Sequence, residues 1–259
     1  MTFAKYILLF FAFTCNAQFL PMIGHTAGAT NVTKIGVLPE VYLTNGLFAV
    51  WHLDNTNDSR CVDSWGTNHL YFRSAANVSL TNGVISNAGY VSAADNAGEL
   101  TNNAGGMTFT TFSISMWYSP KIKGVRGSVY CGTNSTTRSR TSQCSWGIAS
   151  SGTAIRFAIT NSLIDLSSTT FNVDEFTHWV FVYSNDVGRV WCYKNGALAQ
   201  TATAGPIATS IEPTSFSIYG QDDSGAKDEV AIWSRGLTEQ EAAYLYQYRN
   251  WRDYPKQYR

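Results

Sequence analysis

This chain is short of charge. Asp, Glu, Lys and Arg make up 14% of its 259 residues, and eighteen basic side chains balance eighteen acidic ones. A net charge near zero supplies no general field to draw in nucleic acid or an anionic membrane. Arg138-Ser139-Arg140 is too short a basic run to serve as a nucleic-acid patch. No apolar run is long enough to span a bilayer stably. There is no Gly-rich phosphate loop and no internal repeat. No helical periodicity appears before Thr238. Those absences leave neither a nucleotide-binding α/β domain nor a repeat array as an option.

What is abundant is Ser, Thr, Asn and Gly. That mix suits an extracellular β protein, whose turns need small polar residues and whose strands present hydroxyls to water. Leu47, Ala49, Trp51 and Leu53 alternate with Phe48, Val50 and His52, a strand with two apolar faces and therefore a central place. Phe112, Ile114, Met116 and Tyr118 mark a second strong strand, ended by Pro120. Two more strands flank a Ser/Thr/Arg-rich loop within residues 128–148. Others follow at Ile155 to Ile159, Trp179 to Tyr183, Val190 to Tyr193, and Phe216 with Ile218. Asn82-Gly83 and Asn195-Gly196 read as hairpin turns. Many short strands at even spacing predict a sandwich or barrel, and the length suits one large sandwich or two small domains. The stretch 227–248 closes the pattern. Val230 and Ile232 oppose Ala231 and Trp233 as in a strand. Thr238 then stands three residues before Glu241, a capping box for a helix over 238–248 that lays Ala242, Leu245 and Tyr246 on one face.

Residues 1–17 have the form of a secretory signal. Lys5 gives a positive start, residues 6–13 an apolar core, and Cys15-Asn16-Ala17 a small-residue cleavage site before Gln18. The alternative is a buried N-terminal strand or helix. Residues 18–45 read as a leader or linker, with an edge strand over 37–43 because Pro39 fits only an edge. The main domain spans residues 46–250, and 251–259 is a tail. With Cys15 removed, Cys61, Cys131, Cys144 and Cys192 remain, and an even number after a signal favours disulfides. Cys131 and Cys144 bracket the Ser/Thr/Arg loop and form the first expected bridge, worth about 3 kcal/mol in the chain-entropy model. Cys61 with Cys192 follows by elimination. The alternative for Cys192 is a buried small hydrophobe. No Cys or His spacing matches zinc.

Five stretches in order carry a family resemblance. They are Ala49-Val50-Trp51-His52-Leu53-Asp54 with Asp63-Ser64-Trp65-Gly66; Phe112-Ser113-Ile114-Ser115-Met116-Trp117; His178-Trp179-Val180-Phe181-Val182-Tyr183; Val190-Trp191-Cys192-Tyr193-Lys194-Asn195-Gly196; and Asp228-Glu229-Val230 followed by Leu237-Thr238 and Glu241. Together they resemble the laminin-G-like, concanavalin A-like jelly rolls. The resemblance implies an all-β, antiparallel jelly-roll β-sandwich with one short C-terminal helix. It says less about function, because this sandwich hosts lectins, adhesins, glycosidases and spacers alike. It also implies a structural calcium, with Asp63 and Asp228 at the matching positions. The loop Gln221-Asp222-Asp223-Ser224 offers further oxygens. First and last strands of such a fold commonly lie side by side, which would let the two carboxylates share the ion. The alternative is that both only cap turns. The acidic loop after Leu53 is not an EF-hand: its Gly is missing, and Trp65 stands where the bidentate Glu belongs.

The Glu-x-Asp-x-x-Glu strand of the related β-glucanases is absent. A retaining glycosidase needs two carboxylates about 5 Å apart, and no pair suggests itself. His25, His52, His69 and His178 form no motif with a Ser or Cys nucleophile. Trp65 and Trp146 lie in or beside loops as candidate stacking platforms for a sugar, against the alternative of half-buried core. The reading that follows is a secreted, non-catalytic module that binds glycan or protein at a surface. It needs no nucleic acid and no membrane span once the signal is removed. A second reading is a structural or adhesive part of a virion surface or other assembly, which residues 1–45, if retained, would dock. A glycoside hydrolase or lyase is the third.

Overall fold

The computed structural model describes residues 41–55, 60–72, 78–91, 100–102, 110–121, 128–131, 144–148, 155–159, 162–166, 171–204, 216–218 and 225–249. The expected signal over residues 1–17, residues 18–40 of the expected leader, the 221–224 loop and the tail over 251–259 lie outside them.

The described strands form two sheets, and every pairing among them is antiparallel. The first sheet runs Ala197–Thr203 (β14), Arg189–Lys194 (β13), Thr177–Ser184 (β12), Thr111–Pro120 (β7), Gly225–Trp233 (β16), Asn87–Val91 (β5) and Val78–Asn82 (β4). Leu47–Trp51 (β1) pairs with β16 off this path. The second runs Ser162–Leu166 (β11), Ile155–Ile159 (β10), Cys144–Ile148 (β9), Ser128–Cys131 (β8), Phe216–Ile218 (β15), Leu100–Asn102 (β6), Leu70–Phe72 (β3) and Arg60–Cys61 (β2). The helix Glu239–Gln247 (α2) follows β16. This is the all-β sandwich that the alternating strands predict, in the jelly-roll form that the resemblance implies.

The faces follow from the pattern of two. Ile114, Met116, Phe181, Tyr183, Val230 and Ile232 of the first sheet meet Leu70, Ile155, Phe157, Leu166 and Ile218 of the second in one buried core. The opposite face of the first sheet is buried too. Val50, Val180, Val182, Ala231 and Trp233 form a second cluster there with Leu237, Ala242 and Leu245 of the helical segment. Being covered on both sides explains the near-continuous apolar runs of β7, β12 and β16. The serines of β7 face the helical side. Ser113 Oγ donates to the Arg235 carbonyl and accepts from the Leu237 N–H, both at 2.8 Å, tying the turn after β16 to the sheet. Thr238 caps α2 as expected: its Oγ1 accepts the Glu241 N–H, and Glu241 Oε2 accepts the Thr238 N–H. Arg235 donates to both oxygens of that carboxylate, at 2.9 and 2.5 Å.

Two expectations need correction. The edge strand over 37–43 is not formed at its described end, since Val41–Thr44 is one helical turn, α1. The physical reason is an anchor: the Leu43 carbonyl accepts Trp233 Nε1–H at 2.7 Å, and Leu43 is buried in the second cluster. The second correction concerns the cysteines. Cys61 and Cys192 are both free and buried, so the bridge between them is not made. They belong to different sheets, β2 and β13, and each packs as a small hydrophobe in the core. Burial pushes the Cys61 thiol up to about 12 and moves that of Cys192 upward as well.

Cys131 and Cys144, by contrast, are direct Cα partners across the β8–β9 pair. Opposed residues of an antiparallel ladder have Cα atoms about 4.5–5.5 Å apart, within the span of a disulfide. Peptide mapping without reduction, on protein oxidised during folding, is expected to recover the Cys131 and Cys144 peptides linked. Cys61 and Cys192 should label only after unfolding. Free Cys131 and Cys144, or a linked Cys61, would contradict this.

Candidate functional site

Strand β16 changes partner half-way. Its first residues, Gly225–Lys227, pair with β5, and Val230–Trp233 pair with β1. A bulge against β7 lies between Asp228 and Ala231, and Glu229 sits in it at φ +50. The first and last strands are therefore neighbours, as the family resemblance implies, and the acidic pair Asp228-Glu229 marks the hand-over.

Asp228 is fully buried. Its Oδ2 accepts the N–H groups of Val84 at 2.8 Å and Ile85 at 3.1 Å, in the turn between β4 and β5. The turn fits closely: a Cβ added to Gly83 would stand 2.6 Å from Asp228 Oδ2. Oδ1 is buried with no hydrogen-bond partner among the described residues. Burial, then the charges of Glu229 and Asp54, push this carboxyl up to about 8, against the lowering effect of the two N–H bonds. Asp54, just after β1, fastens onto the same hairpin, its Oδ1 accepting the Asn87 N–H at 3.0 Å. Glu229 Oε2 lies 2.9 Å from Nδ1 of buried His52.

Asp63 is used differently. Its Oδ1 accepts the N–H of Val50 at 3.0 Å and of Trp65 at 2.9 Å, and its Oδ2 that of Asn68 at 3.0 Å. Three backbone donors make Asp63 the organiser of the loop after β2. The acidic neighbours whose charges act on Asp228 are Glu229 and Asp54. Among the described residues, no three His, Cys, Asp or Glu side chains gather as a metal site.

The two aromatic candidates lie in different elements. Trp65 is half-buried and packs against the second apolar cluster. Trp146 is not beside a loop. It is the central residue of β9, in register with Val129 and Phe157.

Sequence reasoning missed one pairing. Ser115 Oγ and His178 Nε2 are 3.0 Å apart across β7 and β12. The two superficially resemble a nucleophile and its base. Both are buried, and the His178 ring lies against Trp117 and Tyr246 of α2, with centroids 5.0 and 6.1 Å away. Burial and the Arg249 charge push His178 down to about 3, so it is neutral and a poor base near pH 7. Only the strand register brings Ser115 and His178 together; no sequence motif announces them.

With this geometry in hand, comparison with protein families gives one match, over residues 86–243, more than half of the chain. The chain belongs to the concanavalin A-like lectin/glucanases superfamily. A comparison with curated protein sequences returned no match. Among solved structures it is similar to domain 4 of AbnA, an extracellular GH43 arabinanase from Geobacillus stearothermophilus, in complex with arabinotriose. That match has a TM-score of 0.55 at 18% identity, over 78% of this chain and 98% of that one. It is also similar to the binding domain of botulinum neurotoxin DC in complex with rat synaptotagmin II (TM-score 0.60, 15% identity, 78% and 51% covered). A third is the Trypanosoma rangeli sialidase in complex with sialic acid (TM-score 0.59, 13% identity, 79% and 33% covered). The chain thus spans about half of the toxin domain structure and a third of the sialidase. At these identities the likeness concerns the fold.

The Asp228 environment has a measurable sign. An unfolded Asp loses its proton near 3.8, whereas the folded carboxyl holds it to about 8. Between those values the native state binds more protons, so this group lowers stability as pH rises through the window, with no further loss above it. In chelator, the melting temperature of the wild type is expected to fall from pH 4 to pH 8 more steeply than that of Asp228→Asn, by several degrees over the window. Parallel pH profiles would refute the assignment.

Proposed function

We propose that this chain is a secreted, non-catalytic recognition module that binds glycan or protein at a surface, with a calcium ion bracing the Asp228 corner. The observation carrying the non-catalytic reading is the fate of the acids and histidines. Asp63, Asp228, Glu229 and Glu241 are buried and engaged inside the fold. Asp165 and Asp174 are exposed but paired with Arg156 and Lys121. The Ser115–His178 pair is closed off beneath α2. A pair of carboxylates about 5 Å apart across a cleft, as a retaining glycosidase requires, is not among these arrangements. The similar structures in complex with arabinotriose, with sialic acid and with synaptotagmin II support binding as the shared theme.

The corner suits a cation. Asp228 has an unsatisfied buried oxygen, and Asp54 and Glu229 add negative charge to it. Asp228 and Asp54 would hold calcium, with backbone carbonyls or water completing its six to eight oxygens. When bound, the ion supplies positive charge that lets Asp228 ionise in place, removing the like-charge cost. Asp63, committed to three N–H groups, would stay outside that shell.

Two measurements test this together. Affinity electrophoresis against arabinan, β-glucan and sialylated glycans, read beside release of reducing sugar, is expected to show retardation without turnover. Excess calcium should raise the melting temperature by at least a few degrees over chelator, a gain lost in Asp228→Asn. Hydrolysis abolished by changing one carboxylate would overturn the non-catalytic reading. An unmoved melting curve would overturn the calcium site.

A further inference from the structure

Two rings of the first sheet lie under the end of α2. Trp117 of β7 and His178 of β12 are direct Cα partners, with ring centroids 5.0 Å apart, and both are buried. The Tyr246 ring stands against them, 5.7 Å from that of Trp117 and 6.1 Å from that of His178. The turn between β13 and β14 fixes this position. Gly196 there, at φ +79, comes so close to α2 that an added Cβ would lie 3.0 Å from Ala243 Cα and 3.1 Å from Tyr246 Cβ. Asn195 of the same turn accepts the His178 N–H through its Oδ1 at 3.0 Å. Three rings from three elements thus form one braced corner. The Arg249 guanidinium sits over the Trp117 ring, 5.0 Å from its centroid, although Arg249 itself is exposed and lies just beyond the Tyr248 C-cap.

We propose that this corner is a binding site for the arginine side chain of a partner peptide, held shut from within the chain by Arg249. The inference rests on the recognition reading above and gives it a place and a ligand class. An indole draws a cation to its face, and a guanidinium also stacks on it. His178 adds no opposing charge, because burial and the Arg249 charge keep it neutral. The polar atoms of the corner favour an outside ligand over Arg249. Trp117 Nε1 and His178 Nδ1 are buried with no hydrogen-bond partner among the described residues. A guanidinium carries donors only, so Arg249 leaves the Trp117 N–H unmet. A peptide with an acceptor oxygen beside its arginine, from a backbone carbonyl or an adjacent carboxylate, brings both the cation and the missing acceptor. Lysine is the weaker ligand, since its ammonium is more strongly hydrated and does not stack. The peptide binds only those molecules in which Arg249 has swung away, so its apparent affinity is reduced by that fraction.

The test uses the full chain, isotopically labelled at the tryptophan indole nitrogen, and follows the N–H resonance that disappears in Trp117→Phe. The probes are a blocked Ala-Arg-Asp tripeptide, its lysine counterpart, and its citrulline counterpart, which keeps the shape without the charge. Circular dichroism and melting curves confirm that each variant folds. Arg249→Ala is expected to bind the arginine peptide on the order of tenfold more tightly than wild type, with the lysine peptide weaker and the citrulline peptide unbound. Adding Tyr246→Leu, which removes the ring but keeps the helix face apolar, should weaken the arginine peptide by roughly fivefold. A Trp117 resonance that the arginine peptide leaves unmoved in Arg249→Ala overturns the site, while glycan retardation in the affinity electrophoresis above keeps the recognition reading intact. Equal binding of the citrulline peptide overturns the cationic ligand class. Equal binding by wild type and Arg249→Ala overturns closure by Arg249.

Discussion

The structure depends on burying β16 from every side. All nine residues of Gly225–Trp233 are buried, including Lys227, Asp228 and Glu229. Such a strand is stable only if each polar group it carries inward finds a partner, because an unpaired buried group costs more than a hydrogen bond gains. β7 pairs with one edge on both sides of the bulge. The other edge is shared between β5 and β1, and the bulge at Glu229 is where the sharing changes. The apolar residues of β16 serve both clusters, Val230 and Ile232 inward and Ala231 and Trp233 under the helix. The C-terminal helix, the first strand and the β4–β5 hairpin are all positioned from this one strand.

The acidic pair follows from the same constraint. A bulge frees backbone and re-aims side chains, and here it places two carboxyl groups at the seam of three strands. Glu229 meets His52, and Asp228 meets two N–H groups of the hairpin turn but keeps one oxygen unsatisfied. A proton on that carboxyl relieves the site, which couples the fold to pH.

Much of the fold was legible because its signals are local. The alternation of Phe112, Ile114, Met116 and Tyr118 sets β7, Asn82-Gly83 sets the β4–β5 hairpin, and Thr238 with Glu241 starts α2. The site was harder because it depends on which distant groups meet. Asp54 and Asp63 both follow β1 within a short span. Only the folded loop shows that Asp63 is spent on three backbone donors while Asp54 stands near Asp228. Counting cysteines paired Cys61 with Cys192, but parity of number carries no information on which sheet each occupies. Trp146 looked peripheral because loop ends are blurred in sequence, and the ladder with Phe157 puts it at mid-strand.

Native-state amide hydrogen exchange tests the central claim, that β16 is the strand on which the rest is assembled. Amides of β16 and of its partner β7 are expected to exchange last, with opening free energies equal to that of global unfolding. The edge pair β10–β11 should exchange earlier through local opening. Exchange in β16 that outpaces β10–β11, or that proceeds while β12 and β13 stay protected, would contradict the account.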